Sequence, residues 1–144
     1  VVLYRLNKIA DTLFVAAAEV SILVTVFDPD DAILRILTGY RLGQVTLIPK
    51  EWLSMLEEYV DTSQMTIWAS AIKWRPGCIN DLFLAKALDT IGSLTMFAPE
   101  LRTAMCPYDG GVDTFVPSSD SRSHLRQKFG SWLPNAQTPP AETT

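Results

Sequence analysis

The feature that most constrains the fold of this chain is a hairpin signal in its last third. Two apolar or β-branched runs, residues 103–106 and 112–116, flank the tetrapeptide Tyr-Asp-Gly-Gly at 108–111. Asp-Gly or Gly-Gly between two such runs indicates a tight hairpin, because the favoured turns need residues that adopt positive φ. We therefore predict two antiparallel strands joined at residues 108–111.

The segment after the hairpin is predicted to be an amphipathic helix. Pro117 ends the second strand, and Ser118, Ser119 or Asp120 can cap a helix by accepting a hydrogen bond from a backbone N–H. Residues 101–133 are therefore interpreted as a strand, a turn, a strand and a closing helix. The apolar stripe of that helix recurs at helical spacing in Leu125, Phe129, Trp132 and Leu133.

The first forty residues predict a helix followed by a short strand. Residues 5–27 combine good helix formers with a β-branched end, and the length of the run favours a helix that stops at Asp28-Pro29. The apolar residues 32–38, interrupted by Arg35, predict a strand covered on both faces.

The middle of the chain predicts a helix, a strand and a second helix. Residues 50–59 carry an apolar stripe at helical spacing, and 65–74 alternate as a strand does. A helix over 81–91 follows, with Asn80 as its N-cap and Gly92 as the left-handed residue that ends it. The next few residues fit either a strand or a loop.

This order of elements predicts an α+β fold. The chain has 144 residues and is 48% hydrophobic, which suits a single domain with a real core. We predict one domain over residues 1–133, built from a small mixed sheet with a C-terminal hairpin and about four helices on one or both faces. Residues 134–144 are rich in Pro and Thr and are predicted to form a flexible tail.

The charge distribution suggests a basic protein partner. The net charge is −4, which argues against a general nucleic-acid binder, and the excess of acidic residues falls in the first half of the chain. Tryptophan and tyrosine are common anchors in interfaces, so two aromatic residues join the acidic ones in the predicted partner-binding set. That set is Asp28, Asp30, Asp31, Glu57, Glu58, Asp61, Trp74, Tyr108 and Asp109.

Neither the cysteines nor the apolar runs indicate a secreted or membrane protein. Cys78 and Cys106 lack the spacing of a zinc site or a disulfide framework, which fits a reducing cytoplasm. The most apolar run, 13–27, is shorter than the roughly 20 residues that a spanning helix needs, and Glu19 interrupts it.

Catalytic patterns are sparse. The one histidine, His124, has no partner that the sequence can place, and no phosphate-binding or nucleophile motif is found. An alternative function is a small metal-dependent hydrolase, in which Asp28, Asp30 and Asp31 join Asp109 and Asp113 around a divalent cation. Aspartate is also an ordinary turn residue, so our main interpretation expects no metal, no cofactor and no enzymatic activity.

Three segments resemble a family of small bacterial cytoplasmic proteins of unknown function. They are Phe-Asp-Pro-Asp-Asp-Ala-Ile-Leu at 27–34, Tyr-Asp-Gly-Gly-Val-Asp at 108–113 and Gly-Ser-Trp-Leu at 130–133. Members of that family tend to carry an Arg in the second segment. This chain lacks the Arg, and its turn is one residue shorter than theirs. Some members resemble immunity proteins encoded beside toxins. The resemblance implies a non-enzymatic immunity protein that neutralises a cognate bacterial toxin, such as a nuclease, through an acidic surface.

Overall fold

The computed structural model describes residues 1–45 and 65–133. In these residues the helices are α1 (Val2–Leu13), α2 (Asp31–Gly39), α3 (Asn80–Ala87) and α4 (Ser119–Lys128), followed by a 3-10 turn over Gly130–Trp132. The strands are β1 (Glu19–Phe27), β2 (Gly43–Val45), β3 (Met65–Lys73), β4 (Ser93–Ala98), β5 (Thr103–Tyr108) and β6 (Gly111–Phe115).

The strands form one sheet in the order β2-β3-β1-β4-β5-β6. Each described pair is antiparallel, so the sheet is antiparallel and not mixed as the sequence suggested. The predicted α+β class is confirmed, with the C-terminal hairpin at one edge of the sheet. The predicted helix over 50–59 and the predicted tail over 134–144 lie outside the described residues.

The prediction of one long helix over 5–27 is wrong. Helix α1 ends at Leu13, and β1 begins at Glu19 in the centre of the sheet. Alternate residues of β1 are buried, from Val20 through Ile22 and Val24 to Val26, which is the period of two that a strand needs. The β-branched composition of this run therefore outweighs the length that favoured a helix.

The predicted strand over 32–38 is also wrong, because the residues form α2. Asp30 caps this helix, with its Oδ1 accepting a hydrogen bond from the Ile33 N–H at 2.8 Å. Ile33 and Leu37, four residues apart, face the core on one side of the helix. The apolar run that suggested a strand is thus an amphipathic helix.

Helix α3 is shorter than predicted, and its ends are formed differently. Asn80 is the first helical residue and not the cap, and its Oδ1 accepts a hydrogen bond from Asn7 Nδ2 at 2.7 Å. The helix ends at Ala87, and the left-handed residue beyond it is Asp89 (φ 57°). Gly92 instead donates its N–H to the carbonyl oxygen of Thr25 at 2.7 Å and so starts the pairing of β4 with β1.

The hairpin and the capped start of the helix after it are confirmed, but α4 ends at Lys128, so Phe129, Trp132 and Leu133 of the predicted apolar stripe follow the helix. Strands β5 and β6 pair from Ala104 opposite Phe115 to Tyr108 opposite Gly111. Of the two linking residues, Gly110 has positive φ (84°), as a tight turn requires. Ser118 caps α4 by accepting a hydrogen bond from the Ser121 N–H at 3.1 Å.

The core lies on one face of the sheet. All four helices pack apolar residues into a single cluster with the strands, and β1 contributes its even-numbered residues to it. Trp74 lies inside this cluster, 5.3 Å from the ring of Phe14 between centroids, and its Nε1 donates to Asp11 Oδ1 at 3.0 Å. The other face of the sheet, which includes Ser21, Leu23 and Thr25, takes no part in the cluster.

Candidate functional site

The topology brings the two predicted aspartate turns to the same end of the sheet. Strands β1 and β5 both pair antiparallel with β4, so they run in the same direction. Asp28 directly follows β1 and Asp109 directly follows β5. Two strand spacings separate these strands, or about 10 Å, which lies within the span of one protein interface.

Three more carboxylates join them at this end. Asp30 and Asp31 open α2 directly after β1, and Asp89 lies in the loop that leads into β4. All of these residues are exposed. We call the set Asp28, Asp30, Asp31, Asp89 and Asp109 the acidic end.

The local backbone explains why aspartate suits these positions. Asp28 and Asp89 adopt left-handed conformations (φ 47° and 57°), which Asp tolerates better than most residues with a side chain. Asp30 holds the N-cap of α2, and Asp31 lies in the first turn, where a negative charge favours the helix dipole. A structural role at each turn therefore coexists with an exposed negative charge.

The acidity of the described part is local. Residues 1–45 and 65–133 contain eleven Lys or Arg and eleven Asp or Glu, so the net charge of −4 arises in 46–64 and 134–144. Lys86 also reaches the acidic end, but its Nζ donates to the carbonyl oxygen of Gly92 at 2.8 Å. The acidic end thus concentrates carboxylates in a part of the chain that is neutral overall.

The other predicted partner-binding residues divide into three cases. Tyr108 is 53% exposed beside the acidic end, and its ring lies over Gly111. Trp74 is 1% exposed and lies in the core, so we no longer place it on a binding surface. The predicted residues Glu57, Glu58 and Asp61 lie outside the described residues.

No metal centre is found in the described residues. Within 1–45 and 65–133, no three His, Cys, Asp or Glu side chains lie close enough together to hold an ion. The two aspartate turns thus share an end of the sheet without converging on one point.

The histidine lies away from the acidic end. His124 lines an open groove of about 400 Å³ between α1 and α4, together with Asp120 and Ser121. The hydroxyl of Ser121 is paired with Ser118 Oγ at 2.9 Å and also lies near the helix cap. This hydroxyl is therefore hydrogen-bonded within the N-terminal cap of α4.

A second open groove, of about 470 Å³, lies where the end of α2 meets the start of α3. Arg35, Tyr40 and Asp81 contribute to its lining. Burial raises the pKa of the Tyr40 phenol, a backbone hydrogen bond from Asp81 opposes the rise, and the Asp81 carboxylate adds to it. Burial also raises the pKa of the nearby Cys78 thiol. Both groups favour their neutral forms, which suits packing against the core.

Sequence reasoning missed three exposed aromatic residues. Phe27, Phe97 and Phe115 are 49%, 39% and 57% exposed, and all lie on the sheet face opposite the helices. Ser93 and Thr95 alternate with Leu94, Met96 and Ala98, which was the signal that Phe97 shares the polar face of β4. Which face of the sheet the helices cover could not be read from that alternation.

Comparison with known sequences finds one family and no characterised relative. Residues 1–137 match DUF3885, a domain of unknown function, and the chain therefore belongs to that family. Neither the curated proteins nor the solved structures contain a match. Among the described helices, none has the length and apolar character needed to cross a membrane.

Proposed function

We propose that this DUF3885 protein is a non-enzymatic binding protein of the bacterial cytoplasm. Its specific role is that of an immunity protein, which neutralises a basic cognate toxin, such as a nuclease, through the acidic end. The observation that carries the proposal is the meeting of Asp28 and Asp109 at one end of the sheet. These residues are far apart in the chain, and only the strand order brings them together.

The chemistry of the acidic end supports a basic partner. Several exposed carboxylates within one interface-sized area attract a cationic surface and raise the rate of encounter. Tyr108 adds an exposed ring beside Asp109, and an arginine can stack on an aromatic face while pairing with a carboxylate. The resemblance to immunity proteins encoded beside toxins supports the same assignment.

The test neutralises charge without disturbing the turns. Asp28→Asn, Asp31→Asn and Asp109→Asn are combined in one variant, since Asn tolerates the left-handed backbone of residue 28. Asp30 stays unchanged because it caps α2. The matched control combines Glu19→Gln, Glu100→Gln and Asp120→Asn, which remove three exposed charges elsewhere.

The protein encoded by the reading frame next to this chain's gene is the probe. The acidic-end variant should associate with it roughly tenfold more slowly at low salt, with a weaker dependence on salt, whereas the control should stay near the parent. Cells that express the toxin should lose protection with the first variant and keep it with the second. Equal protection by both variants, or a neighbouring protein that is not toxic, would refute the proposal.

A further inference from the structure

The sheet face opposite the helices carries four exposed aromatic side chains. They are Phe27, Phe97, Tyr108 and Phe115, with exposed fractions between 39% and 57%. The strand pairing places all four on this face: Phe97 and Phe115 both lie opposite Ala104, and Tyr108 and Phe27 follow at even spacing from residues of that face on β5 and β1. We call these four residues the aromatic face. Large exposed apolar patches rimmed by polar residues mark interaction sites on protein surfaces.

Small side chains form the floor between the rings. Ala104 lies opposite Phe97 on one side and opposite Phe115 on the other, so the two rings flank it. Cys106 comes next along β5, and its Sγ lies 3.7 Å from Thr95 Oγ1 on the same face. Asp113 of β6 lies opposite Cys106 and adds an exposed carboxylate at the edge of this floor. Large rings beside small side chains leave room for side chains of a docking partner.

We propose that the aromatic face docks an apolar protein surface that is flanked by arginine or lysine. This inference rests on the proposed function, because the basic flank is the part that the acidic end would receive. The two surfaces are continuous, since Phe27 adjoins Asp28 and Tyr108 adjoins Asp109. At the far end of the face, Glu19 lies opposite Lys73 and the charges balance. The partner's positive charge is therefore expected mainly on the side that meets the acidic end.

The size of the surface explains why both parts are needed. From β1 to β6 the aromatic face is about 14 Å across, and five residues of strand span about 17 Å. This area is smaller than the ~800 Å² that each partner buries in a standard interface. Adding the acidic end extends the surface toward that size.

Two other occupants fit the structure less well. Residues 46–64 leave the described chain at Val45 and rejoin it at Met65, on the β2 and β3 side of the sheet, whereas Phe115 lies on β6 at the opposite edge. Through the same face, a second copy of the chain would offer the acidic end only its own carboxylates or the balanced pair of Glu19 and Lys73. We therefore commit to a separate partner.

Cys106 allows a direct test, because its thiol lies on the floor of the aromatic face. In a Cys78→Ala background, the rate at which a small disulfide reagent modifies Cys106 reports whether the face is covered. The probes are peptides of about 16 residues, which as a helix would reach about 24 Å, selected from a random displayed library against the full chain. Selected peptides should combine apolar residues at helical spacing with Arg or Lys, and they should slow the modification of Cys106.

Variants separate the aromatic face from the rest of the surface. Phe97→Ser and Phe115→Ser should each weaken peptide binding about tenfold or more, as expected for interface anchors. The control is Leu84→Ser, an apolar residue that is 48% exposed on α3, in the helix layer on the other face of the sheet. Failure to select peptides, or peptides that leave Cys106 fully reactive, would overturn the inference. So would equal weakening by Leu84→Ser.

The remaining outcomes identify a different occupant or a different partner chemistry. If protection of Cys106 grows with protein concentration, the occupant of the aromatic face is a second copy of the chain and not a separate partner. If Cys106 is protected at every dilution and Trp52→Ser removes that protection, the face is covered by residues 46–64 of the chain itself. If peptides protect Cys106 but bind Asp28→Asn and Asp109→Asn as well as the parent, the apolar docking stands, and the basic flank and the basic-partner function both fail. If those Asn variants weaken binding while Cys106 stays reactive, the function stands and the docking inference fails.

Discussion

Gly92 is predicted to tolerate no side chain, although it is not in a left-handed conformation. A Cβ at this position would lie 2.8 Å from Thr25 Oγ1, 3.0 Å from Phe27 Cε2 and 3.0 Å from the Thr25 carbonyl oxygen. The Phe27 ring is half exposed and can turn away. The carbonyl oxygen cannot, because it accepts the Gly92 N–H at 2.7 Å and belongs to the central strand.

The expected cost of Gly92→Ala follows from that contact. Forcing extra volume into a packed site costs about 1–3 kcal/mol when backbone must shift. At about 4 °C of melting temperature per kcal/mol for a domain near this size, the variant should melt about 4–12 °C below the parent. Thr25 Oγ1 also accepts the Ser93 N–H at 2.8 Å, so the start of β4 should loosen first.

Gly39→Ala is the matched control, measured by thermal and urea denaturation. No atom lies within 4 Å of a Cβ at Gly39, which is the last residue of α2. Alanine is also the better helix former, so the control should keep or slightly raise the free energy of unfolding. A Gly92→Ala variant as stable as Gly39→Ala would refute the close approach of residue 92 to β1.

The remaining predictions concern the hairpin turn and alkaline pH. Gly110→Val should cost about 1–3 kcal/mol of unfolding free energy, because φ at this position is +84°. Gly111→Val should be destabilising for another reason, because its Cβ would lie 2.6 Å from Tyr108 Cζ. Adding Tyr108→Ala should therefore restore the stability of Gly111→Val but not that of Gly110→Val. Because burial raises the pKa of Tyr40 and of Cys78, folding favours their protonated forms, and this stability is lost as pH rises above about 9 to 10. Tyr40→Phe should therefore lose less stability in alkaline denaturation curves, and an unchanged pH dependence would contradict the burial of the phenol.

The elements that the sequence predicted well carry their signal locally. The turn at 108–111 is marked by its glycines, the α4 cap by serine, and β3 by a run bounded by polar residues 61–63 and the turn at 75–77. Each signal depends on a few neighbouring residues and on backbone conformations that are available before any tertiary contact forms.

The wrong predictions came from apolar runs whose period is ambiguous. In 19–27 almost every residue is apolar or β-branched, so length was used to choose a helix, and the buried centre of the sheet selects a strand instead. In 31–39 the deciding residue was Asp30, whose capping role outweighs the strand-like appearance of the run after it. Short apolar runs allow both structures until their partners are known.

Four of the five residues of the acidic end could be predicted from the sequence, all but Asp89, but their proximity could not. The aspartates at 28 and 109 were selected from sequence for their turns, yet their proximity depends on the insertion of β4 between β1 and β5. Strand order is a property of long-range pairing, and nothing in either turn encodes it. The same limit applies to Trp74: the strand that leads to it was predicted to within one residue, but its burial in the core was not.

The four exposed rings differ in how much of their presence the fold itself explains. Tyr108 lies over Gly111 and Phe27 lies against Gly92, so each ring covers a glycine that cannot carry a side chain of its own. Phe97 and Phe115 flank Ala104 and cover no glycine. Neither belongs to the core cluster, so their burial contributes little to folding, while their exposure on a sheet face favours aggregation. A partner that covers the two rings removes this tendency to aggregate. Substitutions of Phe97 and Phe115 should therefore change partner binding with little effect on folding.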